Sequence, residues 1–273
     1  MAKSIWQKPT DDLFSLFTWS IPTNSAAFGY ATSDLNNRNP AFGLHLSAAT
    51  SFYLLGDLGG SVTKAVKFIT FHNHNFAPGT VITVQGNATN SWGSPTVNSS
   101  VTVPAAAEDG FPVDFFWLNA SQTTALRYWR IGTSATNAAA WILGQLWISD
   151  TLRYLPSDQP QPGIVVTRPR PIIEHLTPAP YGVSLRYPSP SRFTILTGEI
   201  KGPQADVEAV RDGWFSLGYG RARPTPFALI DTSGLECFLV IHDQDDMPAG
   251  QVKGQIWSAP VKLRTLSNGP GWS

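Results

Sequence analysis

Two histidines separated by one residue, His72 and His74, are the first candidates for chemistry in this sequence. Residues two apart on a strand point to the same side, so this pair could hold a metal ion or serve a nuclease. A nuclease of that letter pattern also needs a ββα metal fold with further ligands downstream, which the sequence does not supply. The pair is therefore more typical of a structural role, and neither a metal ion nor another cofactor is predicted.

Two groups of acidic residues also suggest chemistry. The run Asp243, Asp245 and Asp246 resembles a fragment of an oxygen-donor calcium loop, but the glycine and the distal glutamate of an EF-hand are missing. Glu108 and Asp109 precede a glycine, whereas a glycosidase needs two carboxylates that face each other across a cleft. Solvated turns account for both groups better than catalysis does.

The sequence carries no Gly-rich phosphate loop, no G-x-S-x-G elbow and no Ser-His-Asp signature. Its five histidines and one cysteine do not cluster with other titratable groups. Because catalysis needs positioned acids, bases or nucleophiles, the protein is predicted not to be an enzyme. Triads can assemble from distant positions, so a hydrolase of cell-wall or capsule polymers stays open as a third hypothesis.

Trp92 is the best candidate for a binding residue, because it lies in a predicted loop beside Asn90 and Gly93. Aromatic rings offer apolar faces to the C–H groups of sugars and carry a polar edge beside them. His74 and Asn75 follow a predicted strand of the same domain. The candidate glycan-binding residues are therefore His74, Asn75, Asn90 and Trp92.

Short apolar, β-branched and aromatic runs between Gly, Pro, Asn and Ser clusters predict the strands that must position these residues. Their spacing of roughly ten to fifteen residues is typical of a β-sandwich or jelly roll. The predicted strands of the first half are Phe52 to Leu58, Val66 to Phe71, Thr80 to Gln85, Ser99 to Val103, Val113 to Leu118, Ala125 to Ile131 and Trp141 to Ser149.

A proline-rich stretch at 156–180 cannot form a central strand and predicts a linker. It separates a first domain, 1–155 with an N-terminal arm, from a second compact β domain, 181–273. Within the second domain, apolar residues spaced 3, 4 and 3 apart predict a surface helix over 204–217. The predicted fold class is all-β, with two β-sandwich or jelly-roll-like domains and one surface helix in the second.

The chain has 19 basic and 19 acidic residues, which argues against a general polyanion-binding surface and against nucleic acid as a partner. Charged residues make up only 14% and aromatic residues 12% of the chain, a composition that suits broad buried interfaces. No run approaches the roughly 20 apolar residues of a membrane-spanning helix, so no membrane insertion is predicted. The first ten residues lack the apolar run of a signal peptide, which predicts synthesis in a cytoplasm.

The termini are unusually aromatic for free tails. Trp6, Phe14, Phe17 and Trp19 lie near the start of the chain and Trp272 near its end. We expect these segments to dock onto neighbouring subunits, for example by adding a strand to an exposed sheet edge.

Part of the first domain resembles a known family. The segment 53–59, which ends in an Asp-Leu-Gly turn, Val62 and the strand-like run 66–75 resemble the discoidin-like, galactose-binding-like jelly roll. That family also tends to carry an aromatic-x-Arg-Ile strand, matched here by 128–131. The likeness extends from about Asn24 to Leu155 and implies the fold better than any particular ligand.

The arrangement of the two halves is also similar to tail and baseplate proteins of tailed bacteriophages. The second half adds a strand over 181–187, a helix over 206–217 and a strand over 226–231, similar to distal tail or adaptor components. The resemblance implies a structural virion component of the tail tip or baseplate, assembled in the host cytoplasm. Its implied partners are other tail proteins and further copies of the chain in a ring.

The alternative function is a carbohydrate-binding, lectin-like module that recognises a host surface glycan. The two functions are compatible, because a tail component can also contribute to host attachment.

Overall fold

The computed structural model of the chain describes residues 4–37, 43–105, 113–156, 165–167, 172–176, 184–188, 195–216, 224–230, 235–242, 247, 249–253 and 256–265. The acidic groups at 108–109 and 243–246, and also Trp272, lie outside these residues, as does most of the predicted linker.

The described residues are mostly β-strand, which confirms the all-β class. The first eleven strands are β1 (Ile5–Trp6), β2 (Thr18–Ser20), β3 (Leu44–His45), β4 (Phe52–Asp57), β5 (Phe68–His74), β6 (Val81–Asn87), β7 (Val97–Thr102), β8 (Phe115–Leu118), β9 (Tyr128–Thr133), β10 (Ile142–Ser149) and β11 (Arg153–Tyr154). The others are β12 (Val165–Thr167), β13 (Ile172–Leu176), β14 (Ser184–Pro188), β15 (Ile195–Pro203), β16 (Thr225–Ile230), β17 (Leu235–His242), β18 (Gly250–Lys253) and β19 (Ile256–Thr265). The strands predicted in the first half are present as β4 to β10.

Helices are short. Three 3₁₀ turns span Pro9–Asp11, Phe14–Leu16 and Thr32–Asn36. The α-helix α1 (Gln204–Val210) begins after Pro203 and continues as a π-helical turn, Arg211–Ser216. The predicted surface helix is therefore present from its predicted start, although its predicted last residue, Leu217, lies outside the described residues.

The chain divides into two compact units. The first comprises 1–155 and 225–239, and the second comprises 156–224 and 240–273. The first break coincides with the predicted end of the first domain. Residues 225–239 were expected in the second domain, but they lie in the first unit because β16 pairs with β1. The predicted linker, 156–180, contains the strands β12 and β13, and β12 pairs with β15 at the edge of a sheet. The predicted domain bounds otherwise stay a prediction.

The first unit contains two antiparallel sheets that enclose one core. The five-stranded sheet has the order β2-β4-β9-β6-β7, and the four-stranded sheet has the order β3-β10-β5-β8. Alternate residues of each strand point to opposite faces, so Leu54, Phe71 and Trp129 lie together in the core. The same alternation leaves Tyr53 and Arg130 on the outer face of the five-stranded sheet, half-buried.

The outer face of the four-stranded sheet is also buried. Phe68 of β5 and Phe116 of β8 pack there against Ile5, Ala228 and Cys237, which form a second small core. Strand β1, which carries Ile5, pairs antiparallel with both β11 and β16. Within the described residues of this unit, both faces of the four-stranded sheet are therefore buried. The five-stranded sheet has a buried inner face and an outer face whose residues are partly exposed.

The N-terminal arm belongs to the fold of its own chain. Trp6, Phe14 and Phe17 are buried, and the Trp19 indole Nε1 donates a hydrogen bond of 3.0 Å to the Phe14 carbonyl. Arg153 reaches the arm through a bidentate ion pair with Asp11. For Trp6, Phe14 and Phe17 the expected docking onto neighbouring subunits is wrong, because their side chains are already buried by the chain that carries them. Trp19 is half-buried and Trp272 lies outside the described residues, so for them the expectation stays a prediction.

In the second unit, β15 pairs with β12 on one side and with β19 on the other. Strand β19 also pairs with β18 and with residues 240–242 of β17, while β13 and β14 form a separate antiparallel pair. Helix α1 buries Val207 and Val210, the positions that the apolar spacing predicted to face inward.

Gly144 tests how tightly β10 approaches β5. A Cβ atom at this position would lie 2.7 Å from Asn73 Cβ and 2.9 Å from the Asn73 carbonyl oxygen. Backbone must move to accept that atom, so Gly144→Ala is expected to lower the free energy of unfolding by about 1–3 kcal/mol. Urea denaturation measures the change.

Gly93→Ala is the matched control, because nothing lies within 4 Å of a Cβ added there. Its stability should stay within about 1 kcal/mol of the parent. Equal losses in the two variants would contradict the close approach of β10 to β5.

The reactivity of the Cys237 thiol tests whether the second small core is closed to solvent. Burial raises the pKa of its thiol well above the usual range, and the residue is 1% exposed. Because the thiolate is the reactive form, iodoacetamide should label Cys237 only after unfolding. The chain has one cysteine, so mass spectrometry reads the result directly. Labelling of the folded protein at the rate of the denatured chain would show that this core is open.

Candidate functional site

His74, the first predicted glycan-binding residue, lies inside the sandwich. It is 5% exposed, and its ring contacts the rings of Phe76 and Phe115. Nε2 donates to the Val113 carbonyl at 3.1 Å, and Nδ1 accepts from the Phe76 backbone N–H at 3.1 Å. These partners select the neutral Nε2–H tautomer and occupy both nitrogens, so neither is available to a ligand.

Asn75 ties the end of β5 to the start of β10. Its Oδ1 accepts from the Ile142 N–H at 2.9 Å, and its Nδ2 donates to the Ala140 carbonyl at 2.7 Å. Asn137 adds a donor to the same oxygen at 3.3 Å. The amide therefore closes a connection in the backbone, and both of its ends have protein partners.

Asn90 and Trp92 lie in the loop between β6 and β7. The Trp92 Nε1–H donates to Asn90 Oδ1 at 2.9 Å, and Asn87 closes the loop by donating to the Ser91 carbonyl at 2.6 Å. Asn90 is exposed and Trp92 is half-exposed. This pair therefore has the access to a ligand that His74 lacks.

The four predicted residues form two separate pairs. No described hydrogen bond or ring contact joins His74 or Asn75 to Asn90 or Trp92. Instead, the Trp92 ring lies against the guanidinium of Arg130, with 4.6 Å between Arg130 Cζ and the ring centroid. A ligand role for Asn90 and Trp92 stays a prediction, and its setting is the outer face of the five-stranded sheet.

Four residues join Trp92 on this surface, which we call the Arg130 face: Tyr53, Gln85, Asn98 and Arg130. Gln85 is the register partner of both Arg130 in β9 and Asn98 in β7. The guanidinium also lies over the ring of Tyr53, with 4.4 Å between Cζ and the centroid. One cation therefore contacts two aromatic rings, an arrangement that holds the guanidinium in place.

Hydrogen bonds continue across the strands. Arg130 Nε donates to Gln85 Oε1 at 2.9 Å, and Nη2 donates to the same oxygen. Gln85 Nε2 in turn donates to Asn98 Oδ1 at 2.9 Å. Arg130 Nη1 and Asn98 Nδ2 donate to no residue in the described part of the chain, which leaves two fixed donors on the Arg130 face.

The adjacent cation, Arg127, has a different environment. Its Nε and Nη2 donate to the two carboxylate oxygens of Asp57 at 2.6 and 2.9 Å. These hydrogen bonds lower the pKa of Asp57, so the pair is ionised and neutral overall. Arg130 has no such carboxylate among the described residues, and burial lowers the pKa of its guanidinium, which nevertheless stays charged.

The site residues predicted from the sequence did not include Arg130, Tyr53 or Gln85. Arg130 stood in the aromatic-x-Arg-Ile run that suggested the fold, and strand alternation places it opposite the buried Trp129 and Ile131. Strand alternation therefore predicts that the guanidinium of Arg130 faces outward. It does not predict that the loop carrying Trp92 folds over it, because this contact joins residues distant in sequence.

Thr70, His72 and Asp114 form a chain with the order of a hydrolase triad. His72 Nδ1 lies 2.9 Å from Asp114 Oδ2, and its Nε2 lies 2.8 Å from Thr70 Oγ1. Thr70 is 0% and His72 1% exposed, so no substrate reaches the hydroxyl. The cluster does not support catalysis, because a nucleophile must contact its substrate.

Among the described residues, no group of three or more His, Cys, Asp or Glu is placed to bind a metal ion. The described helices are all too short or too polar to cross a bilayer.

No family model matches the sequence, and no curated protein matches it. Among solved structures, a mutant of the lectin-binding domain of Lectinolysin complexed with Lewis b shares 13% identity at a TM-score of 0.39, covering 53% of this chain and 99% of that one. The family 32 carbohydrate-binding module of C. perfringens NanJ in complex with galactose shares 12% at 0.37, covering 53% and 98%. A fucose-binding module of Streptococcus pneumoniae shares 13% at 0.36, covering 49% and 91%.

These similarities concern about half of the chain, and all three structures are lectin or carbohydrate-binding modules. Identities and TM-scores this low assign neither a family nor a ligand to this chain. The bacteriophage-tail resemblance, the ring of subunits, the tail-protein partners and the virion location stay predictions.

The buried His74 makes stability depend on pH. Desolvation lowers its pKa from 6.5, outweighing the nearby carboxylate of Asp114, while His72 lowers it further. Unfolded His74 binds a proton as pH falls through about 6.5, whereas folded His74 binds it only at a lower pH. The free energy of unfolding should therefore decrease as pH falls from about 7 to about 5.

His74→Gln should show a smaller decrease over the same pH interval, because the amide keeps one donor and one acceptor but does not titrate. Urea denaturation at each pH gives the slope, which is read separately from any overall loss of stability. Identical slopes in parent and variant would contradict a proton-excluding site at His74.

Proposed function

We propose that the first unit binds carbohydrate through the Arg130 face. The observation that carries the proposal is the contact of one guanidinium with the rings of Tyr53 and Trp92, beside a row of amides. Sugar recognition combines apolar C–H groups, which pack on aromatic rings, with hydroxyl groups, which need planar polar partners at fixed positions. The Arg130 face supplies both kinds of group.

The rigidity of these groups supports the proposal. Arg130, Gln85 and Asn98 lie on neighbouring strands and hold one another through hydrogen bonds of 2.9 Å. Polar groups that are already fixed before binding lose little conformational entropy when a ligand arrives. Sites on strands are also held more accurately than sites on loops.

Trp92 lies where a ligand can reach it from solvent. Asn90, Ser91 and Gly93 around it are exposed, so the indole projects from a loop that a saccharide can approach. Because Nε1 is held by Asn90 at 2.9 Å, the ring orientation is set by the loop itself. A ring held in this way is suited to stacking on a pyranose.

Trp92→Ala should weaken glycan binding at least about tenfold, because aromatic anchors dominate small interfaces. A glycan array identifies ligands of the parent, and isothermal titration calorimetry gives the affinities. Tyr53→Ala should weaken binding in the same direction, while circular dichroism checks that both variants are folded.

Phe28→Ala is the matched control. Phe28 is fully exposed on the turn closed by the hydrogen bond from Tyr30 N–H to the Ala27 carbonyl. No described ring contact or hydrogen bond joins it to the Arg130 face. Its removal should leave glycan affinity unchanged. The proposal is overturned if no glycan binds the parent at millimolar concentration, or if Phe28→Ala weakens binding as much as Trp92→Ala.

A further inference from the structure

No carboxylate in the described part of the chain pairs with the guanidinium of Arg130. The other described arginines of the first unit form bidentate pairs, Arg127 with Asp57 and Arg153 with Asp11. Arg130 instead directs two of its nitrogens to the neutral amide oxygen of Gln85. Its positive charge is the only one in this described group that lacks a carboxylate.

This arrangement is costly unless the cation has a further partner. Contact with two rings and partial burial remove water from the guanidinium, and an amide oxygen replaces that hydration less well than a carboxylate does. The aromatic contacts offset part of the cost. A ligand that brings a negative charge would offset the rest at the moment of binding.

The two donors without a described acceptor belong to side chains that reach solvent, since Asn98 is exposed and Arg130 is half-buried. Arg130 Nη1 has no acceptor among the described residues, and Asn98 Nδ2 is likewise available on the exposed β7. Gln85 links the two side chains, since it accepts from Arg130 and donates to Asn98. Asp57, the nearest acidic group in the register, is neutralised by Arg127 and offers little repulsion.

We infer that the Arg130 face selects an acidic saccharide, one whose sugar carries a carboxylate that pairs with the guanidinium of Arg130. The inference rests on the proposed carbohydrate-binding function and specifies its ligand class. The pyranose ring packs on Trp92 or Tyr53, and the carboxylate accepts from Arg130 Nη1. Asn98 supplies a second donor to the carboxylate or to a neighbouring hydroxyl.

The sharpest test changes the ligand and leaves the protein intact. Calorimetry compares oligogalacturonate with the same oligosaccharide after complete methyl esterification, which removes the charge and keeps the ring. The parent protein should bind the acidic form about tenfold to hundredfold more tightly, as expected for one charge-assisted hydrogen bond. That preference should shrink as salt is raised.

Two variants locate the preference. Arg130→Gln should bind acidic and esterified forms equally, while Arg130→Lys should keep part of the preference because the charge remains. Lys67→Gln is the control for net charge, since it removes a half-buried cation of the same unit that lies just before β5. It should leave the preference unchanged.

The outcomes separate the two proposals. Equal binding of both forms by the parent, with loss of both in Trp92→Ala, overturns the acidic ligand and keeps the carbohydrate site. Binding of either form that is unaffected by both Trp92→Ala and Tyr53→Ala overturns both proposals. Binding of neither form overturns the acidic ligand alone if another glycan binds through Trp92, and overturns both if no glycan binds. An oligosaccharide that carries sulfate esters in place of carboxylates is the third ligand, and Arg130-dependent binding of it in place of the carboxylate form overturns the carboxylate assignment.

Discussion

Strand alternation in the five-stranded sheet is the constraint on which the rest of the first unit depends. Because neighbouring residues of a strand face opposite sides, Trp129 and Ile131 enter the core while Arg130 must face outward. The buried Trp129 ring fills space between the sheets, and a register slip of one residue would place a guanidinium there instead. Core packing and the position of the Arg130 face are therefore two consequences of one register.

A cation on the outer face becomes a site only through its neighbours. Tyr53 comes from the adjacent strand β4, Gln85 from β6, and Trp92 from the loop that follows β6. Each contributes a different property, namely an apolar ring, a fixed amide and a partly exposed indole. The ion pair of Arg127 with Asp57 next to it shows what the sheet does with a charge that it balances internally. Arg130 is held by Gln85 and by two aromatic rings, and its positive charge has no carboxylate partner among the described residues.

Much of the fold was predictable from particular residues. The apolar runs between turn residues located β4 to β10, and the spacing of Val207 and Val210 located the start of α1. The sequence could not predict that 225–239 belong to the first unit. The pairing of β16 with β1 joins residues more than two hundred positions apart, so it leaves no local signal in the sequence. The burial of Trp6, Phe14 and Phe17 of the N-terminal arm within their own chain was not predictable for the same reason. The composition of the arm required burial but did not specify the surface that buries it.

The amino-acid sequence by itself determined that the protein is built from short strands, that its charges balance, and that aromatic residues must be buried. Periodicity and composition act locally, so they can be read without knowing which strands are neighbours. Only the tertiary structure decided that His74 is a core residue with both nitrogens occupied, while Trp92 closes over Arg130. Burial and side-chain contact depend on the register and packing of residues far apart in the chain, and the residue types alone do not carry that information.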